Sequence, residues 1–155
     1  MRLLFLTTVA ILGFAATNLS AQMTDMQWDT HGVGFKVPSN FVAETNNAEE
    51  FTASNDNLFL SIVPIQDEAV KDDDLAEAVV EMAKGLEYDV IEEAEALEVD
   101  DFTGYYVKGR KDGVNAVVIA VLDARSSTNL LVVIVYADGY ENQAVDVAAS
   151  LYAYD

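Results

Sequence analysis

Two runs, Ala116 to Leu122 and Leu130 to Val135, are apolar at nearly every position, and they constrain the fold more than any other feature of the chain. A strand with one wet face alternates apolar and polar residues, whereas a run that is apolar throughout needs cover on both faces. Both are therefore expected as central strands of a layered domain. Val114 to Asp123 joins Gly104 to Arg110 at Asp112-Gly113, a dipeptide that accepts the positive φ of a tight hairpin turn. Leu130 to Tyr136 returns through the polar loop Arg125-Ser126-Ser127-Thr128-Asn129.

Upstream, Val33, Phe35 and Val37 alternate with Gly34 and Lys36 and read as a first strand ending at Pro38-Ser39-Asn40. Phe41 to Thr45 continues as an edge strand, and Glu50 to Ser54 pairs with Leu58 to Pro64 through the turn Asn55-Asp56-Asn57. The period changes at Lys71 to Leu86, where Leu75, Val79, Met82 and Leu86 fall on one helical stripe and Glu77, Glu81 and Lys84 face away. Asp74 with Glu77 resembles a capping box, the acidic triplet Asp72-Asp73-Asp74 suits the positive end of the helix dipole, and Gly85 suits the other end. Val90 to Val99 fits either period and is read as a strand. A last helix is expected over Tyr140 to Tyr152, capped by Asp138 with Glu141 and carrying Ala144, Val147, Ala148 and Leu151. The element order predicts an α+β fold, a central antiparallel sheet of about six strands with helices packed on its faces.

On three segments the chain resembles the PsbP-like superfamily: Gly32-Val33-Gly34-Phe35-Lys36-Val37-Pro38 followed by Phe41, Phe102-Thr103-Gly104-Tyr105-Tyr106, and the closing Ser150-Leu151. That superfamily includes the extrinsic photosystem II protein, a Ran-binding nuclear import protein and many bacterial exported proteins. The resemblance covers most of residues 31 to 152 and implies a PsbP-like sandwich. Its cues are glycines and aromatics, and it carries over no catalytic residue.

The start of the chain reads as an address. Met1-Arg2 is a positive n-region, Leu3 to Ala16 an apolar stretch, and Leu19-Ser20-Ala21 a small-residue exit, the layout of a cleavable export signal over residues 1 to 21. The apolar stretch is shorter than a membrane-spanning helix needs. Residues 22 to 30 are polar and read as a lead-in, leaving residues 31 to 155 as one domain, soluble in the periplasm or outside the cell and without a transmembrane anchor after cleavage. The chain has no cysteine, which excludes a lipoprotein anchor, a disulfide framework and any thiolate chemistry. About 134 mature residues suffice to bury well over half of the unfolded surface without such staples.

Charge narrows the partners. The whole chain carries 8 Lys and Arg against 27 Asp and Glu, a net −19; loss of Arg2 with the leader leaves 7 against 27, a net −20. A domain this acidic lacks the basic footprint that neutralises phosphates, so nucleic acid is excluded as a partner, and anionic membranes are disfavoured. The acidity fits solubility at high salt, attraction of cations, or a basic partner.

No catalytic constellation stands out. His31 is the single histidine and reads as a surface or turn residue, because a triad or zinc site needs more partners than one imidazole can gather. No nucleophile elbow, phosphate loop or His-Glu-x-x-His is present. Asp72-Asp73-Asp74 and the group Glu92, Glu93, Glu95, Glu98 lack the loop spacing of a calcium site. Asp100 and Asp101 with nearby glutamates offer carboxylate pairs, but abundant carboxylates pair by chance. No cofactor or metal is expected.

The best candidate site is basic. Lys108, Arg110 and Lys111 gather three of the few basic residues beside Tyr105 and Tyr106, and on a strand Tyr106, Lys108 and Arg110 share one face. The competing reading is that these charges protect a hairpin edge from pairing with another sheet. The sequence thus points to an exported, non-enzymatic binding or accessory module whose partner is a protein or small anionic ligand. The alternatives are an acidic structural or envelope-associated protein and, further off, a carboxylate-based hydrolase.

Overall fold

A computed structural model describes residues 22–65, 74–90, 92–123 and 129–154. The signal segment, Asp72, Asp73 and the loop through Arg125 to Thr128 lie outside the described residues. The elements are β1 (Met23–Trp28), a short 3-10 turn (Asp29–His31), β2 (Val33–Pro38), β3 (Val42–Asn46), β4 (Phe51–Ser54), β5 (Leu58–Pro64) and α1 (Leu75–Gly85). They continue with β6 (Asp89–Val90), β7 (Glu95–Val99), β8 (Phe102–Lys111), β9 (Val114–Asp123), β10 (Asn129–Tyr136), α2 (Glu141–Ala149) and β11 (Tyr152–Ala153).

The longest hairpin follows the Asp112-Gly113 signal. Lys111 pairs with Val114, and φ is +51° at Asp112 and +80° at Gly113, the pair of positive values that matches the twist of the flanking strands. β9 is buried on both faces from Ala116 to Val121, as its unbroken apolar run requires. β10 is different: Leu130, Val132, Ile134 and Tyr136 are buried, while the alternate positions are half-buried.

The expected architecture, a central antiparallel sheet of about six strands with helices on its faces, does not hold. Strands make up 54% of the described residues and helices 20%, and two sheets share the core. The larger has eight strands, in the order β3-β4-β5-β10-β9-β8-β6 with β7 also on β8. The smaller is β1-β2-β11. One face of the large sheet meets the small sheet and α2: Trp28, Val33, Phe35 and Val37 pack with Phe51, Leu60, Ile62, Ile119, Val132 and Ile134, and with Ala144, Val147 and Leu151. The Phe35 and Phe51 rings meet edge to face at 5.1 Å. The other face carries α1, whose Leu75, Val79 and Ala83 cover Val107, Val118 and Ala120.

The difference begins within residues 22 to 30, where Met23–Trp28 form a strand and Asp29 and Thr30 enter the 3-10 turn, rather than a lead-in. β1 pairs with β2 along its whole length, from Met23–Pro38 to Trp28–Val33. Its polar residues point to water, while Trp28 is fully buried and donates its indole N–H to the Asn47 carbonyl at 2.7 Å. Three apolar residues among polar ones are too few to read as a strand, yet one tryptophan supplies much of the buried area. The far edge of β2 takes Tyr152 and Ala153 as β11, and the Tyr154 hydroxyl donates to Asp29. Tyr152, expected at the end of the last helix, thus belongs to the small sheet.

Helix ends also depart from expectation. Neither Asp74 nor Asp138 makes a side-chain cap; Tyr140 occupies the N-cap of α2, and Asp138 accepts from the Asn115 side chain at 2.7 Å. Gly85 is the last helical residue of α1, and the left-handed position is Glu87, φ +67°. Around it the Tyr88 N–H reaches the Ala83 carbonyl at 3.0 Å and the Glu87 N–H reaches Lys84 at 2.9 Å, the paired bonds of a Schellman ending.

Candidate functional site

The strand β8 places Tyr106, Lys108 and Arg110 on the face of the large sheet that looks toward α2, opposite Ile119, Val117 and Asn115 of β9. Because β8 lies between β9 on one side and β6 and β7 on the other, it is no edge, and edge protection does not account for its charges. β6 and β7 run along β8 as one strand interrupted opposite Val107 and Lys108.

Two of the three residues border a cleft of about 150 Å³ between this sheet face and α2, lined by Leu97, Tyr106, Lys108, Val117, Ile119, Val145, Ala148 and Ala149. The lining is apolar apart from the tips of Tyr106 and Lys108. Val145, on the outer turn of α2, is 49% exposed at the mouth. Arg110 stands apart at the hairpin end, bonding the Asn115 side chain at 3.3 Å and the Gly113 carbonyl at 3.4 Å.

Acidic residues that the sequence did not connect to Tyr106 or Lys108 hold the two polar tips. The Tyr106 hydroxyl donates to Glu95, which lies directly across β7–β8. Lys108 Nζ is 2.7 Å from Glu141, in the first turn of α2, and 4.0 Å from Glu92. The hydrogen bond to Glu95, and after it burial, push the Tyr106 phenol above its ordinary pKa. Lys108 is raised chiefly by its hydrogen bond to Glu141, against an opposing effect of burial. Tyr136, which senses the charges of Glu141 and Lys108, is raised first by burial. All three shifts favour the protonated form, so at neutral pH Tyr106 and Tyr136 are neutral phenols and Lys108 an ammonium. A phenol and an ammonium beside Glu92, Glu95 and Glu141 can orient and hold a group at the rim of the cleft. The β7–β8 register and the first turn of α2 were the signals that could have found Glu95 and Glu141.

The remaining sequence candidates are placed elsewhere. His31 sits in the 3-10 turn, with Nε2 2.7 Å from the Ala48 carbonyl and its ring 4.2 Å from that of Trp28; it fastens the Asn47–Glu49 turn. Asp100 and Asp101 form the two-residue connection between β7 and β8, with φ +49° at Asp100. Lys111 pairs with Glu87 at 3.0 Å. Among the described residues no three His, Asp or Glu side chains converge on a metal position, and no helix is long and apolar enough to cross a membrane.

No protein-family model and no curated protein matches the chain. Solved structures that resemble it include one from Bacteroides thetaiotaomicron, with a TM-score of 0.53 at 13% identity over 80% of this chain. The matched region is 46% of that protein, so this chain spans about half its length. At that identity the likeness shows the fold alone.

Proposed function

We propose that this chain is an exported, non-enzymatic binding or accessory module and that its binding element is the cleft beneath α2. The observation that carries the reading is the cleft's composition, an apolar lining of sheet and helix residues with Tyr106 and Lys108 at its rim. Ligand sites combine a mostly apolar concavity with a few placed polar groups. A cavity of roughly this size in another protein admits a benzene-sized guest, so the cleft suits one apolar side chain or ring rather than a large substrate.

The charges favour a basic partner over the small anionic ligand. Lys108 is already engaged by Glu141 and Glu92, so an anion would have to displace a 2.7 Å ion pair and approach three carboxylates. The net charge of the chain favours the same sign of partner at long range. The PsbP-like resemblance of Gly32 to Pro38 and Phe102 to Tyr106 supports an accessory role, and the leader over residues 1 to 21 supports export.

The test is comparative capture. Mature wild-type chain and an Ala149→Trp variant, in which the cleft is filled from its α2 wall, are used to capture proteins from an extracytoplasmic fraction. A stoichiometric basic partner held by the wild type and released by the variant supports the proposal. Identical profiles overturn it and favour an acidic structural protein.

A further inference from the structure

Beside the cleft runs an open strand edge. β7 pairs with β8 on one side, and among the described residues no strand pairs with its other side. Across the cleft from Leu97 of β7 stand Val145, Ala148 and Ala149 of α2. A free strand edge next to a helix-walled apolar cleft is the arrangement in which an extended segment adds to a sheet, its backbone bonding the edge and its alternate side chains entering the pocket.

The residues along this edge select the occupant. Glu92, Glu93, Glu95 and Glu98 are all exposed. A second copy of the chain would set carboxylates against carboxylates, which is destabilising across paired strands. Lysines or arginines on an incoming strand would meet opposite charge instead. Because strand side chains alternate, a segment of alternating apolar and basic residues can present one apolar side chain to the cleft while its neighbours face the side of the sheet that carries Glu98.

We propose that the free edge of β7 and the cleft beneath α2 together receive an extended basic segment of a partner protein, which extends the large sheet by one strand and seats one apolar side chain between Leu97 and Val145. This rests on the cleft being a binding element, as proposed above, and adds the geometry and charge of what binds there. The glutamates keep the edge from pairing with other copies while leaving it open to a basic strand.

The experiment titrates the mature chain with a short, end-capped peptide alternating lysine and leucine, read by calorimetry and by methyl NMR. Three comparisons accompany it: the same peptide with glutamate for lysine, the same peptide N-methylated on alternate amides, and the Glu93→Lys, Glu98→Lys double variant. The lysine peptide should bind, shifting the methyls of Leu97 and Val145, and the glutamate peptide should not. N-methylation on the bonding edge and the double variant should each weaken binding about tenfold or more, the size of effect that losing one or two good contacts produces. Equal binding of the N-methylated peptide overturns strand addition, and equal binding of the glutamate peptide overturns the charge selection. Benzylammonium, one ring bearing one cation, separates the two proposals. If it moves the cleft methyls while no peptide binds, strand addition is wrong and the cleft reading stands; if neither binds, both fall.

Discussion

Truncating Trp28 tests whether residues 22 to 30 belong to the core. The side chain is fully buried, its ring lies 4.2 Å from His31, and its N–H holds the Asn47 carbonyl at 2.7 Å. Removing a buried tryptophan side chain to alanine costs roughly 3 to 5 kcal/mol in other cores. The lost hydrogen bond adds about 1 kcal/mol, at the low end because Asn47 is exposed and its carbonyl regains water. Trp28→Ala should therefore cost about 4 to 6 kcal/mol, much of the stability of an ordinary domain. Trp28→Phe keeps most of the ring and loses the bond, so it should cost about 1 to 2 kcal/mol and keep the measurement within range. Urea unfolding followed by far-ultraviolet circular dichroism is the assay, since the substitution removes the only tryptophan. With a urea slope of about 2 kcal/mol/M, the midpoint should fall by about 2 to 3 M for alanine and by about 0.5 to 1 M for phenylalanine. Midpoints of both variants within about 0.3 M of wild type, at an unchanged slope, would show residues 22 to 30 to be a dispensable lead-in.

A Cβ at Gly104 would lie 1.9 Å from the Ala120 carbonyl oxygen on β9; Gly104→Ala should lower stability by about 2 to 3 kcal/mol, and a urea midpoint equal to wild type would contradict the close approach. Glu87 occupies the left-handed position after α1, so Glu87→Gly should raise stability by about 1 kcal/mol despite loss of the exposed contact to Lys111, and a fall in melting temperature would refute that account. The Tyr154 phenol is pushed up to about 12 by its hydrogen bond to Asp29 and then by burial. Since an unfolded tyrosine titrates near 10, this contribution is fully present below about pH 10 and is lost as pH rises through about 12. Tyr154→Phe should thus be less stable than wild type at about pH 9, with the gap closing toward about pH 12; a gap that does not change with pH would contradict the linkage.

Local chemistry with a strong physical cause was legible in the sequence. The Asp112-Gly113 turn, the Asn55-Asp56-Asn57 turn into the Leu58 to Pro64 strand and the unbroken run of β9 each follow from one dominant requirement: positive φ, turn-forming side chains, or cover on both faces. What failed depended on distant partners. The stretch from Met23 to Trp28 becomes a strand because β2 offers it an edge and the core offers Trp28 a pocket, neither of which has a local signature. Tyr152 looks like the last residue of a helix until Gly34 is found opposite it, with Ala153 opposite Val33. The placement of Tyr106 and Lys108 on one face was legible from alternation alone. Their cleft was not, because its other wall comes from Val145, Ala148 and Ala149, remote in sequence. Arg110 shares their strand face but ends at the hairpin, where Asn115 and Gly113 engage it.

Binding in the cleft beneath α2 is tested by titrating the methyl-labelled mature chain with benzylammonium, observed by NMR. The ring matches a cleft of about 150 Å³, and the ammonium suits Glu92, Glu95 and Glu141. Binding beneath α2 predicts saturable shifts at Val117, Ile119, Val145, Ala148 and Ala149, abolished by Ala149→Trp, with Leu75 and Val79 on the opposite face of the sheet unmoved. Shifts spread evenly over both faces, or none at concentrations that saturate ordinary weak sites, would contradict it.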